Sequence, residues 1–251
     1  MRNIRLTIAY DGSGYCGWQR QKNGLSVQEE LERVLTTICN EEITLHGAGR
    51  TDAGVHARAM AAHFHTNSPI PPANLQKGLN SMLPGAVRVI ALDVMSMDFH
   101  ARFSAHSKSY HYRISTDRIQ PPWERNYVTH VPFELTRDDM RACLDAIEGC
   151  HDFASFETAG SRDRELTTGR GSVRTISRAR LVEEDEHHLC FEFSGDGFLR
   201  HMIRNLMGTI LEVGKKRKSP QDFTNILRSR KRSAAGATAP PHGLYLVEVK
   251  Y

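Results

Sequence analysis

The sequence lacks the features that mark several large classes of protein. It has five cysteines in 251 residues, and no two of them form a Cys-x-x-Cys pair. Neither a disulfide framework nor a zinc site is therefore expected, and a reducing compartment, the cytoplasm, is the predicted location. No apolar run approaches the roughly 20 residues that a membrane-spanning helix needs. The amino-terminal residues contain no hydrophobic run long enough for a signal peptide, so no membrane partner is predicted.

Motifs for nucleotide and metal binding are absent as well. The glycine-rich segment 12–19 lacks the G-x-G-x-x-G spacing, and no Walker-type Gly-Lys-Ser/Thr occurs. Two close histidine pairs, His63 with His65 and His187 with His188, have no third ligand at the spacing of a metal site. The sequence therefore predicts neither a nucleotide cofactor nor a metal.

The composition is that of a folded protein with a local excess of positive charge. Hydrophobic residues make up 39% of the chain and charged residues 25%, with a formal net charge of +4. Ten lysines and arginines fall within residues 198–232, against only two acids. Phosphate backbones favour such a segment, so a nucleic acid is a candidate partner.

Apolar spacing predicts strands and helices that alternate in two similar halves. Ile4, Leu6 and Ile8 alternate with polar residues, as in a half-buried strand. Ser26 and Glu29 have the spacing of a capping box at the start of a helix. Further strands are predicted at 43–45, 60–65, 87–94, 109–114, 172–182, 188–195 and 244–250, and further helices at 73–82, 136–147, 198–213 and 220–227.

Each half approximates a β-α-β-β-α-β unit, so the predicted fold class is α+β with two ferredoxin-like (RRM-like) halves. The predicted domains are residues 1–105 and residues 106–251. Residues 151–171 are rich in glycine, serine, threonine and charge, and are predicted to be a loop that contains Arg162, Arg164 and Arg170.

The segment 49–57, Gly-Arg-Thr-Asp-Ala-Gly-Val-His-Ala, is the strongest candidate for a site. It places Asp52 between two glycines and two residues after Arg50. Glycine lets a backbone turn tightly and approach a ligand closely. A guanidinium near a carboxylate keeps it ionised, as a nucleophilic carboxylate requires. The alternative is an ordinary turn, because Asp beside Ala-Gly is common turn chemistry.

Two distant segments supply groups that such a carboxylate would use. Arg200 and Arg204 are four residues apart in the predicted helix 198–213, and would project from one polar face near its N-terminus as an anion site. The alternative there is a solvated basic face. Tyr110 and Tyr112 share one face of a predicted strand. They are either core tyrosines or a surface on which an RNA base stacks.

Distinct motifs occur along nearly the whole chain, at 10–12 with 17–19, 27–28, 49–57, 79–80 with 83–84, 99–105, 110–112, 198–205, 208–214 and 239–245. In their order and spacing, these segments resemble the TruA family of tRNA pseudouridine synthases. The departures are Cys16, before Gly-Trp, and Ala237, where the family often has proline; the 151–171 loop matches least.

The resemblance implies an isomerase that acts on tRNA without a cofactor. In that reaction the N1–C1′ bond of uridine breaks, the uracil rotates, and C5 joins C1′. The implied substrate is the anticodon stem-loop at nucleotides 38, 39 and 40, bound by a homodimer whose subunits both contact tRNA. The two halves are then expected to form an extended antiparallel sheet with helices on one face and an active-site cleft between them.

By the same resemblance, Asp52 is the nucleophile, which attacks C6 of the base or C1′ of the sugar, or stabilises a glycal route. Arg204 resembles the arginine that pairs with this carboxylate. Tyr110 would stack on the extruded uracil, with its hydroxyl available for deprotonation at C5.

Three further residues are assigned to RNA binding by resemblance. Arg50 would contact a phosphate or help to flip the target nucleotide, a step that chemistry on a stacked base requires. Arg200 and His56 complete the set of predicted RNA contacts.

Two other classes of protein remain as alternatives at this point. A non-catalytic RNA-binding module would leave Asp52 beside an arginine unexplained, because a carboxylate repels phosphate. A hydrolase acting on nucleosides or glycosides through a carboxylate would normally need a second catalytic carboxylate, and no motif supplies one.

Overall fold

The computed structural model describes residues 1–158 and 170–251, and these divide into two units. The first unit is Met1–Lys108 with Tyr245–Tyr251, and the second is Ser109–Leu244. The predicted division at residue 105 differs from this one mainly at the carboxyl terminus. The last strand belongs to the first unit, because it pairs in parallel with a strand of that unit.

Strands and helices follow one another along the chain, with five helices in the described residues. In chain order the elements are β1 (Arg2–Tyr10), α1 (Val27–Cys39), β2 (His46–Gly47), β3 (His56–Thr66), α2 (Pro72–Met82), β4 (Val87–Met95), β5 (Ser107–Ser115), β6 (Thr129–His130), α3 (Arg137–Asp145), β7 (Gly149–Asp152), β8 (Val173–Glu183), β9 (His188–Gly195), α4 (Met202–Gly214), α5 (Pro220–Ser229) and β10 (Leu244–Lys250).

The first unit is a sheet in the order β4-β1-β3-β10, with the short β2 on β3. β1 pairs antiparallel with β3 and β4. Ile4, Leu6 and Ile8 are fully buried, as the alternation predicts. Ser26 caps α1, since its side chain accepts the Glu29 N–H at 3.2 Å.

The predicted strand at 43–45 is wrong, because α1 side chains engage its backbone. The Leu45 N–H donates to the Glu32 carboxylate at 2.9 Å, and the Ile43 N–H donates to the Thr36 hydroxyl at 3.3 Å. Strand pairing begins only at β2. Ile43 and Leu45 are nevertheless buried, so their apolar character reflects packing.

The second unit has its strands in the order β5-β9-β8-β7, with β6 parallel to β5. β8 pairs antiparallel with β7 and β9. The helices α3, α4 and α5 belong to this unit. The predicted α+β class is confirmed by this mixture of helices and mostly antiparallel strands. Among the described residues, no helix is both long and apolar enough to cross a membrane.

Two predictions in the second unit need correction. The helix predicted over 198–213 begins at Met202, because His201 adopts a left-handed conformation with φ 60° and ψ 5°. The start of the predicted loop 151–171 is ordered: β7 runs through Asp152, and a 3₁₀ turn at Ala154–Phe156 buries Phe156. Residues 159–169, with Arg162 and Arg164, lie outside the described part of the chain.

A cluster of four histidines occupies the β2–β3 region and the turn after β4. His63, only 1% exposed, lies against His46, His65 and His100, with ring centroids 4.6 to 5.7 Å away. Its Nδ1 accepts the Ala101 N–H at 3.1 Å. Burial, followed by the charges of the three neighbouring histidines, lowers the pKa of His63 to about 4.

This burial predicts that the first unit loses stability in acid. Between pH 6.5 and about 4, His63 takes up a proton when unfolded but not when folded. The free energy of unfolding should therefore fall as the pH drops through this window, by at most about 3 kcal/mol from His63. Urea unfolding followed by Trp18 fluorescence, in a Trp123→Phe background, measures this dependence. His63→Asn should remove most of it, and an unchanged slope in that variant would contradict the assignment.

Candidate active site

The segment 49–57, here called the Asp52 loop, runs from the end of β2 into the start of β3. Within it the Val55 N–H donates to the Asp52 carbonyl at 3.1 Å, and Gly54 adopts φ 77°. Asp52 itself is half-buried. The glycine therefore serves the tight turn that the sequence predicts, and the turn leaves Asp52 partly accessible.

Thr51, the residue before Asp52, is held by both its backbone and its side chain. Its carbonyl accepts the Trp18 N–H at 3.1 Å. Its hydroxyl lies 2.8 Å from the Tyr10 hydroxyl, and both side chains are buried. Because the two anchors fix Thr51, they restrict where the next residue, Asp52, can point.

Two glycines of the segment 10–19 allow this segment to contact the loop backbone directly. A Cβ atom at Gly12 would lie 2.1 Å from the Val55 carbonyl oxygen. One at Gly17, where φ is +101°, would lie 2.6 Å from the Thr51 carbonyl oxygen. No role in the site was predicted for this segment from the sequence. Residues 10–12 and 17–19 are nevertheless among the segments that match the TruA family, and that match could have indicated such a role.

His56, a predicted RNA contact, is packed inside the first unit and only 2% exposed. Its Nδ1 accepts the Gly12 N–H at 3.1 Å and lies 3.3 Å from a carboxylate oxygen of Asp11. Its ring stacks on Tyr245 at 4.8 Å. These contacts tie the end of the Asp52 loop to its neighbours, so packing accounts for His56. Direct contact with RNA stays a prediction.

Positive charge borders the Asp52 loop on its β2 side. Arg50 is exposed. The Lys108 ammonium donates to the Ala48 carbonyl at 2.6 Å. Gly49 lies so close to this ammonium that a Cβ atom there would be 3.2 Å from it. Lys108 is a cation near the loop that sequence reasoning missed.

Arg200 and Arg204 do not share a helical face, contrary to the prediction. Arg200 precedes α4 and is exposed, and its carbonyl accepts the Thr158 N–H at 3.2 Å. Arg204 lies in the first turn of α4 and is half-buried. Its Nε donates to the Ala239 carbonyl at 2.8 Å, and the Ala239 N–H donates back to the Arg204 carbonyl at 3.0 Å. The first of these bonds restrains the Arg204 side chain, and the second joins the two backbones.

Tyr110 and Tyr112 of β5 differ in burial. Tyr112 is fully buried, with its hydroxyl 2.8 Å from that of Thr129 and donating to the Pro240 carbonyl at 2.9 Å. Tyr112 is therefore a core residue, and its burial raises the pKa of its hydroxyl. Tyr110 is 8% exposed, and its ring meets Phe198 edge-to-face at 5.1 Å.

The basic segment 198–232 is only partly available to a ligand. Arg232 is half-buried and donates to the side-chain oxygens of Asn205 and Thr238 and to backbone carbonyls. Arg217 pairs with Glu212, Arg230 with Asp152, and Lys215 lies 4.6 Å from the Phe133 ring. Lys216, Arg228 and Lys231 are exposed, as is Arg200. The excess charge seen in the sequence is therefore divided between packing and surface.

One histidine pair from the sequence has carboxylate neighbours in the structure. The His188 Nε2 lies 3.2 Å from a Glu124 oxygen and 3.9 Å from an Asp117 oxygen, and its Nδ1 lies 3.0 Å from Asp185. Burial opposes protonation, but hydrogen bonds to Glu124 and Asp185 outweigh it and raise the pKa of His188. The geometry is that of an ion-paired imidazolium.

Comparison with known proteins identifies the family. The chain matches the family described as tRNA pseudouridine synthase over residues 6–104 and 144–251. The chain belongs to this family. This match confirms the predicted resemblance. It also confirms the predicted class of enzyme, an isomerase that acts on uridine in tRNA.

Relatives match along the full length. The chain is 50% identical over 251 residues to tRNA pseudouridine synthase A 1 of Desulfotalea psychrophila, with all of both chains covered. It is 42% identical over 251 residues to tRNA pseudouridine synthase A of Clostridium acetobutylicum, again with full coverage. A Streptococcus pneumoniae relative of the same name is 40% identical over 253 residues, with all of this chain and 99% of the relative covered.

The two anchors on Thr51 predict that Tyr10→Phe slows the reaction. Loss of the hydroxyl pair lets the Asp52 loop shift, and a displacement of about 1 Å near reacting groups lowers rates by about a hundredfold. We expect a fall in single-turnover rate of roughly ten- to a hundredfold, with little change in tRNA affinity. Thr51→Val should show the same loss, and the double variant should lose no more than either single variant.

Tyr251→Phe is the matched control for this prediction. It removes another tyrosine hydroxyl of the first unit, which donates to the Ala101 carbonyl at 2.8 Å. Thr51→Ser, which keeps the hydroxyl, should retain most of the rate. Equal losses in Tyr10→Phe and Tyr251→Phe would mean that the effect is a general loss of stability.

Proposed function

We propose that this enzyme converts uridine to pseudouridine at nucleotides 38, 39 and 40 of the tRNA anticodon stem-loop, with Asp52 as its nucleophile. The observation that carries the proposal is the anchoring of Thr51, which fixes one partly accessible carboxylate in a tight, glycine-dependent turn. Membership of the tRNA pseudouridine synthase family supplies the class of reaction.

The proposed reaction is an isomerisation, so it needs no external electron or group donor. The N1–C1′ bond breaks, a C5–C1′ bond forms, the C5 proton leaves, and N1 gains a proton. Three routes begin from Asp52: attack on C6, attack on C1′, or stabilisation of a glycal. Each route requires an ionised carboxylate beside the glycosidic bond, and therefore a uridine extruded from its stack.

We assign supporting roles to two residues of the second unit. Arg204 keeps the Asp52 carboxylate ionised and aligned, and Tyr110 contacts the extruded uracil and is available to move the C5 proton. Support for the first role is the restraint of the Arg204 Nε on the Ala239 carbonyl, which limits the guanidinium to few orientations. Support for the second is the restraint of the Tyr110 ring on Phe198.

RNA contacts are assigned to exposed cations. Arg50 is exposed within the Asp52 loop and Arg200 is exposed before α4, so both are available to phosphates. His56 is assigned to RNA by the resemblance alone, since its position supports packing. A cytoplasmic homodimer that uses no cofactor completes the proposal, and the mass of the protein in solution, with and without tRNA, tests the dimer.

Asp52→Asn tests the nucleophile directly. The amide keeps the size of the side chain but cannot act as an anionic nucleophile, so release of tritium from tRNA carrying C5-tritiated uridine should fall by at least about a thousandfold. Binding of tRNA should stay within a few-fold of the unmodified protein, because a carboxylate contributes nothing favourable to contact with phosphate.

The same assay separates the other classes of protein. Tritium release that depends on Asp52 supports the synthase. Binding of tRNA with no release from the unmodified protein would indicate an RNA-binding module, and free uracil would indicate a hydrolase. Mapping of pseudouridine in the product tRNA tests positions 38, 39 and 40 separately from the chemistry.

Arg204→Ala tests the assigned charge partner. Turnover should be abolished and tRNA affinity should change less than about threefold, because the proposed role is toward the carboxylate and not toward phosphate. The variant also loses the bond to Ala239, so a thermal unfolding measurement must accompany it. Weakened tRNA binding with normal turnover of bound tRNA would show that Arg204 is instead an RNA contact.

A further inference from the structure

An exposed aromatic and basic surface lies in the first unit, outside the Asp52 loop. We call it the Phe103 platform, and it consists of His46, His65, His100, Arg102 and Phe103. Phe103 is 77% exposed although it is a large apolar side chain. Its ring lies 4.3 Å from that of His100, and the Arg102 guanidinium lies 5.8 Å from the Phe103 centroid.

The turn that carries Phe103 is fixed by its own hydrogen bonds. The Nδ1 of His100 accepts the Arg102 N–H at 3.1 Å and the Phe103 N–H at 3.4 Å. The His100 carbonyl accepts the Ser104 N–H at 2.9 Å, and the Ser104 hydroxyl accepts the His100 N–H at 3.1 Å. The exposed ring is therefore held in place before any partner binds, which lowers the entropy cost of binding.

Arg102 gives the platform its positive charge. It is exposed, and its guanidinium lies over the Phe103 ring. The imidazoles of His46, His65 and His100 carry positive charge only when protonated, and burial, followed by the charge of His46, lowers the pKa of His100. An apolar partner would bury the Arg102 guanidinium without compensation, whereas a phosphate would neutralise it.

An aromatic ring beside a guanidinium is the combination that binds an unpaired base and its phosphate. His63 pairs with His46 and lies seven residues after His56, where the Asp52 loop enters β3. At about 3.3 Å per residue along a strand, the end of the Asp52 loop at His56 is about 23 Å from His63. A uridine at Asp52 and an unpaired base elsewhere in the same RNA can then occupy the two positions.

We propose that the Phe103 platform binds the tRNA substrate away from the target uridine, with an unpaired base stacked on Phe103 and a phosphate on Arg102. This inference rests on the proposed tRNA substrate. It adds a contact that fixes the position of the RNA and takes no part in the chemistry.

Phe103→Ala is the direct test, with tRNA binding measured at a fixed salt concentration. The dissociation constant should rise roughly five- to a hundredfold, the range for loss of one base–aromatic stack. The single-turnover rate at saturating enzyme should be unchanged, and Phe103→Tyr should restore affinity. Arg102→Ala should lower the dependence of log affinity on log salt by about one. Ile90 is an exposed apolar residue of β4 in the same unit, so Ile90→Ala is the matched control. It should leave both the tRNA affinity and the single-turnover rate unchanged.

Three results would overturn the inference. One is tRNA affinity of Phe103→Ala within twofold of the unmodified protein. Another is a fall in single-turnover rate without loss of affinity, which would place Phe103 in the chemistry. The third is a Phe103→Ala protein with half the molecular mass of the unmodified protein in solution and the same tRNA affinity per site. That result would make the platform a contact between two copies of the chain. The proposed function would survive each, since it depends on tritium release through Asp52.

Discussion

The position of Asp52 depends on how the preceding residue, Thr51, is held. A buried hydroxyl pair with Tyr10 and a backbone bond from Trp18 fix it from two sides. The first contact comes from the last residue of β1 and the second from the segment that follows it. That segment can approach the loop this closely only because Gly12 and Gly17 lack a Cβ atom. A carboxylate on an unrestrained turn would sample many directions. Because Thr51 is restrained, the entropy cost of orienting the Asp52 carboxylate falls on folding and not on the proposed reaction step.

The proposed reaction is one that protein side chains can carry out without an external electron or group donor. Pseudouridine formation exchanges one glycosidic bond for another within a nucleotide, so positioning and ionisation of a carboxylate are the main requirements. The first unit supplies the anchored Asp52, with Arg50 and Lys108 as nearby cations. Under the proposed function Arg204 and Tyr110 of the second unit contribute as well, and each is restrained by a contact within its own unit. Few of the residues at the site are then assigned to the reaction itself, and most of them are assigned to packing.

Sequence patterns predicted most elements because their signals are local. Alternation defined β1, and Ser26 caps α1 as its spacing indicates. Predictions failed where the structure depends on a contact between residues distant in sequence, or on the backbone conformation of a single residue. The Glu32 carboxylate accepts the Leu45 N–H, which is then unavailable to a neighbouring strand. The left-handed conformation of His201 makes α4 begin at Met202, so Arg200 lies outside the helix that contains Arg204. The Tyr10–Thr51 bond joins residues 41 positions apart. No spacing rule reveals such a bond, and only the co-occurrence of matching segments hinted at it.

Hydrogen exchange at two amides tests the anchoring of the Asp52 loop most directly. The Trp18 N–H is bonded to the Thr51 carbonyl and the Val55 N–H to the Asp52 carbonyl, so both report on the loop. If the loop is held as described, both amides exchange as slowly as those of β3 in the unmodified protein. The Trp18 amide then exchanges about tenfold faster in Tyr10→Phe, which corresponds to loss of about 1.4 kcal/mol. Rapid exchange of both amides in the unmodified protein, at the rate of an exposed turn, would contradict the account.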